Sequence, residues 1–304
     1  MLPLLRVVYN IIIPIFVIVG LAVLLGWRFQ PDVRTLSRLV IYLFGPFLVM
    51  SGLANSALQA SEIGKLVLAT LLISLLFTLL GWVVAHLLLR IDRQLESAFL
   101  LSVVLMNSGN YGLPLSEFAF GAAGLQRAIV IFVTMSVVTH SLGIYLASYG
   151  SASLRQSLRN IFSVPLLPAA FVGLLLNLEV IHFPLPLERV MVLLGQAAVP
   201  SMLVVLGLQL TRMQIRSRWD MIGLASFMRL VLSPLIAYGV AAMVGLSELS
   251  QQVVIVVASM PTAVITTVLA TEFDSDAEFT TGVVAISTLS SAATLSILLY
   301  LLQK

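Results

Sequence analysis

The chain has 304 residues, 60% of them apolar and 10% charged, with a mean hydropathy of +1.10. Those proportions exclude a soluble globular domain and define a polytopic membrane protein. Zero cysteines remove disulfides, thiolate metal sites and cysteine nucleophiles. The net charge of +3, spread over short loops, carries no nucleic-acid signal.

Ten apolar spans of membrane length follow in order: 3–27, 35–58, 64–89, 95–120, 126–149, 161–178, 187–210, 219–244, 251–270 and 279–302. The first is too long for a signal-peptide core and lacks a small-residue cleavage site, so it is expected to stay as a helix. The sixth is the shortest and contains Pro165 and Pro168. The last ends two residues before residue 304, so no soluble output domain is expected.

Basic residues at the span ends set the orientation. The loops after spans one, three, five and seven hold Arg28, Arg34, Arg38, Arg90, Arg93, Arg155, Arg159, Arg212, Arg216 and Arg218. The other side holds only Arg6, Lys65, Arg127, Arg189 and Lys304. This bias predicts both termini outside and the polar linker 150–160 in the cytoplasm.

The halves repeat. Pro14 and Pro168 lie 154 residues apart, as do Pro46 and Pro200, and Thr134-Met135-Ser136 recurs at the same offset as Thr288-Leu289-Ser290. Ser116-Glu117-Phe118 recurs as Thr271-Glu272-Phe273 at an offset of 155. Five spans per repeat is an odd number, so the second copy must be inverted in the membrane. The expected fold is all-α: ten transmembrane helices as two inverted five-helix repeats, residues 1–150 and 151–304.

Span four holds LMNSGNYGLPLSEFAF at 105–120. Asn107, Gly109, Asn110, Gly112 and Pro114 each weaken or compete with helical hydrogen bonding. An unsatisfied backbone group in hydrocarbon costs about several kcal/mol, so broken backbone at this depth must pack in protein or line a polar cavity. The 154 offset carries Met106–Asn107 to Met260–Pro261, and Pro261 interrupts span nine near its middle. Thr262, Thr266 and Thr267 supply hydroxyls at or beyond that break. Two interrupted helices at matching positions of inverted halves are expected to cross at the bilayer midplane, presenting half-helix N-termini to an anion. A carboxylate suits this geometry better than a cation or a neutral sugar.

Other polar residues have two readings each. Arg229, central in span eight before Pro234, costs about 2.5–3.5 kcal/mol on insertion scales and must face protein or water. It either attracts the substrate or pairs with a carboxylate or freed carbonyls. His140 in span five is a proton-relay candidate or a buried hydrogen-bonding histidine. Glu117 and Glu272 either solvate helix ends or couple protons, and His86 and His182 read as peripheral. No enzyme signature is present: there is no G-x-S-x-G, no H-E-x-x-H and no intramembrane aspartate pair. No catalytic group, cofactor or metal centre is therefore expected.

The segment NSGNYGLPL at 107–115 resembles the fourth-span signature of the auxin efflux carrier family. RLVIYLFGP at 38–46 resembles the family's second span, RLVLSP at 229–234 its eighth, and MPTAVITTVLATEF at 260–273 the ninth span of the plant exporters. The resemblance implies a scaffold of spans one, two, six and seven, often the dimer interface. It also implies a moving domain of spans three to five and eight to ten, with an architecture similar to sodium/bile-acid symporters. Family substrates are organic anions: indole-3-acetate in plants and malate- or malonate-like dicarboxylates in bacteria. Met106 stands where the plant exporters have proline, and their long cytoplasmic loop is here about a dozen residues, which points away from auxin itself.

The expectation is a secondary transporter of small organic anions in a bacterial inner membrane. It would be a homodimer coupled to H+ or Na+ and would work by elevator-like movement. Asn107, Ser108, Gly109, Asn110, Tyr111, Gly112 and Pro114 would bind one side of the substrate, and Met260, Pro261, Thr262 and Ala263 the other. Pro46 and Pro200 would shape the scaffold wall. A sodium/proton antiporter and a non-transporting organic-acid sensor are the alternatives. The antiporter lacks an aspartate at either break, and the sensor lacks an output domain.

Overall fold

The structure, a computed structural model, describes residues 2–148, 165–211 and 218–302. The linker 150–160 with Arg155 and Arg159, the start of span six, Arg212, Arg216, Lys304 and the expected 150/151 repeat boundary lie outside the described residues.

The described residues form helices α1 Leu4–Phe29, α2 Val33–Ala54, α3 Ala60–Leu88, α4 Arg93–Val104, α5 Ser108–Ala147 and α6 Leu166–Asn177. They continue with α7 Leu185–Leu210, α8 Trp219–Val244, α9 Glu248–Ala258, α10 Ile265–Glu272 and α11 Ala277–Leu302. Seven of these are long and apolar enough to cross a membrane: α1, α2, α3, α5, α7, α8 and α11. The shorter α6 and α9 are also apolar. The difference from ten single spans has visible causes. Spans four and nine are each split, into α4 with the start of α5 and into α9 with α10. The second part of span four also runs on into span five, with non-helical backbone at Gly121 (φ 65°, ψ −160°). Only glycine adopts that conformation at little cost, so the sharp bend falls there.

Proline shapes α1, α2, α5 and α8. π-helical turns at Val8–Ile12, Val40–Phe44, Ser108–Gly112 and Met228–Leu232 each run directly into a helix with proline in its first two positions: Pro14, Pro46, Pro114 and Pro234. The proline ring displaces the carbonyl four residues earlier and offers it no N–H, so the turn before it widens.

The helices pack in two groups. Gly45–Ala54 of α2 packs against Leu166–Asn177 and Leu185–Gln196, and Ile13–Phe29 of α1 packs against Ala198–Leu210. The last pair meets backbone to backbone: a Cβ added at Gly207 would lie 2.4 Å from the Val19 carbonyl oxygen. Small residues permit such approach where lipid removes the hydrophobic drive between helices. The second group joins α3, α4, α5, α8, α9, α10 and α11 around buried Phe77, Phe99, Leu101, Val256 and Phe279. The groups meet where Ser108–Gly112 faces Ala198–Leu210 and where the Phe16 and Tyr111 rings stand edge to face, 6.2 Å between centroids.

Candidate functional site

The two interruptions lie side by side. Met106 and Thr262 form an antiparallel bridge, with the Asn107 N–H donating to the Pro261 carbonyl and the Ala263 N–H to the Leu105 carbonyl, both at 2.8 Å. Neither α4 nor α9 continues here, because the Asn107 and Ala263 N–H groups go to carbonyls of the facing segment in place of helical acceptors. The register is antiparallel. Asn107 bonds to Pro261, 154 residues on, and Leu105 to Ala263, 158 residues on, on either side of the bridged pair Met106 and Thr262. Asn107 therefore faces Pro261 across the bridge, and Leu105 faces Ala263.

Hydroxyls fasten this bridge. Thr262, fully buried, donates through Oγ1 to the Ser102 carbonyl at 2.8 Å, and its N–H donates to Ser287 Oγ at 3.2 Å. Ser291 Oγ donates to the Tyr111 hydroxyl at 3.4 Å, and Ser233 Oγ to the Ala258 carbonyl at 2.6 Å. Thr266 Oγ1 donates to the Ala263 carbonyl, at the entry to α10. Ser102, Ser233, Ser287 and Ser291 were not singled out in the sequence. The four-residue spacing of Ser287 and Ser291, which puts both on one helix face, was the available signal.

Asn107 sits at the start of α5 with φ −76° and ψ 62°, yet its side chain caps no helical N–H. It is 5% exposed, and its Nδ2 is buried with no protein hydrogen-bond partner. Leaving a buried donor unpaired costs about 1–3 kcal/mol, so this amide carries an unmet hydrogen-bonding capacity. The first-turn amides of Gly109, Asn110 and Tyr111 precede any intrahelical acceptor. Gly109 and Gly112 keep the turn small: a Cβ at Gly109 would lie 2.7 Å from the Phe132 ring, and one at Gly112 3.3 Å from the Asn107 carbonyl oxygen. Ser108 and Pro114 are buried and Asn110 half-buried, while Met260, Pro261 and Ala263 are buried around the facing break. Thr267 Oγ1 is a further buried hydroxyl without a partner.

Arg229 is 1% exposed. Its Nη1 donates to the Val103 carbonyl at 2.9 Å, its Nη2 to the Ala258 carbonyl, and Nε and Nη2 both reach the Met260 carbonyl, at 3.4 and 3.3 Å. The guanidinium carbon lies 5.2 Å from the Phe77 ring centroid. His140 is half-buried, with Nδ1 2.8 Å from the Ser136 carbonyl of its own helix. Glu272 is exposed at the end of α10. A cavity of about 590 Å³ opens between the two packing groups, with Ile18, Leu48 and Leu203 on one wall and Glu117, Phe118 and Gln126 on the other. Pro200 lines it; Pro46 is buried and does not. Among the described residues no group of three or more His, Cys, Asp or Glu could hold a metal ion.

Long apolar helices around interrupted, polar backbone define the class: a multi-pass membrane transporter. Residues 7–157 and 151–299 match the membrane transport protein family, and the chain belongs to it. This is the auxin efflux carrier family that residues 107–115 resemble. A protein of Methanothermobacter thermautotrophicus named "Uncharacterized transporter" is 32% identical over 278 residues, 89% of each chain. An "Uncharacterized transporter" of Methanocaldococcus jannaschii is 26% identical over 91% of this chain and 92% of its own. A Rhizobium meliloti protein named "Putative malonate transporter" is 30% identical over 48% of this chain and 46% of its own. The family and these relatives are transporters, not enzymes.

Proposed function

We propose that this protein is a secondary transporter of small organic anions, with dicarboxylates of malonate or malate size as substrates. The observation that carries the reading is the bridge between the two breaks, with the unpaired Asn107 amide and the first-turn amides of Gly109 and Asn110 beside it. Such donors, in a region of low dielectric, bind carboxylate oxygens and have nothing to offer a cation. The partial match to the Rhizobium meliloti protein, by its name, agrees with the substrate class.

In this proposal the chain makes ten passes as two inverted five-helix repeats, and the broken spans four and nine cross at their interruptions. Spans one, two, six and seven form a scaffold through which two copies pair. The remaining spans carry the bound anion across in one elevator-like movement, and the cavity beside Pro200 and Glu117 is the route from one face. Glu117 is the ionisable group on that cavity wall and the residue we assign to proton coupling. The protein lies in the inner membrane with both termini outside.

Uptake of labelled malonate into proteoliposomes tests the function. Saturable uptake, competed by unlabelled short dicarboxylates and not by neutral sugars, is the expected result. Binding without accumulation would leave a sensor.

A further inference from the structure

The interruption of α4 and α9 creates a problem at their C-terminal ends that the anion site does not solve. There the carbonyls of Val103, Ala258 and Met260 lose helical donors and gather at the negative ends of two helix dipoles, where a cation is favoured. Carbonyls freed by broken helices are the groups with which transporters coordinate a coupling metal cation. Here that place is taken. The Arg229 guanidinium reaches all three carbonyls from α8, with the Phe77 ring beneath it. Among the described residues no carboxylate lies within ion-pairing distance of it.

We infer that Arg229 is a resident cation of this protein: a positioning residue whose fixed charge ties the ends of α4 and α9 together and fills the place a metal cation would take among their carbonyls. Guanidinium suits the task because its planar fork spreads donors across acceptors on two helices, and because it holds its proton in proteins. A lysine offers the charge at one point only. The assignment does not depend on the substrate, since its readout is stability in the absence of any acid.

Thermal unfolding of the purified protein tests it. The wild type is expected to keep the same midpoint in sodium chloride and in choline chloride. Arg229→Ala is expected to unfold about 5–10 °C lower, a shift that fits loss of a buried charged group in a chain of this size. Millimolar guanidinium should restore much of the difference, whereas urea, a planar neutral isostere, should not. Equal response to guanidinium and urea, or sodium-specific stabilisation of the wild type, would overturn the inference. If Arg229→Ala yields no folded protein, Arg229→Lys and Arg229→Gln decide. The lysine variant should fold with the higher midpoint, and a glutamine variant of equal or greater stability would overturn the resident-cation role. A failed uptake assay leaves these outcomes untouched, so the two readings fail separately.

Discussion

Asn107→Ala is expected to lower malonate uptake by about 10- to 100-fold, because a hydrogen bond to a charged acceptor contributes about 1.5–3 kcal/mol. The fold should be little affected. The amide donor has no protein partner to lose, and the backbone bond from the Asn107 N–H to Pro261 does not depend on the side chain. Measured in proteoliposomes, the loss should appear chiefly as weaker apparent affinity at subsaturating substrate. Asn110→Ala should act in the same direction but less strongly, since Asn110 is only half-buried. Unchanged uptake by Asn107→Ala would remove this residue from the site.

Thr262→Val is expected to do the reverse, with stability falling first and transport following. Valine preserves the shape but deletes the hydroxyl that donates to the Ser102 carbonyl across the junction of α4 and the second break. Interhelical hydrogen bonds in membranes contribute modestly, and an unsatisfied buried acceptor adds to the loss, so about 1–2 kcal/mol is expected. The check is the unfolding midpoint of Thr262→Val against that of Thr262→Ser, which keeps the donor. Equal midpoints would show that the hydroxyl does not fasten the two breaks. Uptake should fall with the midpoint, because the same residue bridges to Met106 beside the Asn107 amide.

The placement of the breaks was legible because it rests on residue types with strong local chemistry. The cluster Asn107 to Pro114 cannot sustain an ordinary helix, and Pro261 lacks an N–H. Their register was not legible. Four sequence matches set the offset at 154 or 155, but the pairing between 105–107 and 261–263 is decided by which amides meet which carbonyls. The cost of Arg229 showed that it must have partners, yet its partners are main-chain carbonyls, which every residue possesses and no composition reveals. Pro46 and Pro200 matched in sequence and separate in space, one buried in the packing of α2 and the other on the cavity wall. Pro46 follows a π-helical turn and Pro200 lies in the first turn of Ala198–Leu210, and what each faces depends on its neighbours.

A change of sign at the site is the most direct measurement. Equilibrium binding of labelled malonate to purified Asn107→Asp protein, beside the wild type, asks whether the bridged breaks hold a negative guest. The substitution keeps size and shape but replaces a donor with a carboxylate, so like charges meet in a poorly screened place. Binding to the wild type and its loss in Asn107→Asp at neutral pH is the predicted result. Undiminished malonate binding by Asn107→Asp, or a newly acquired affinity for sodium with malonate binding intact, would contradict it.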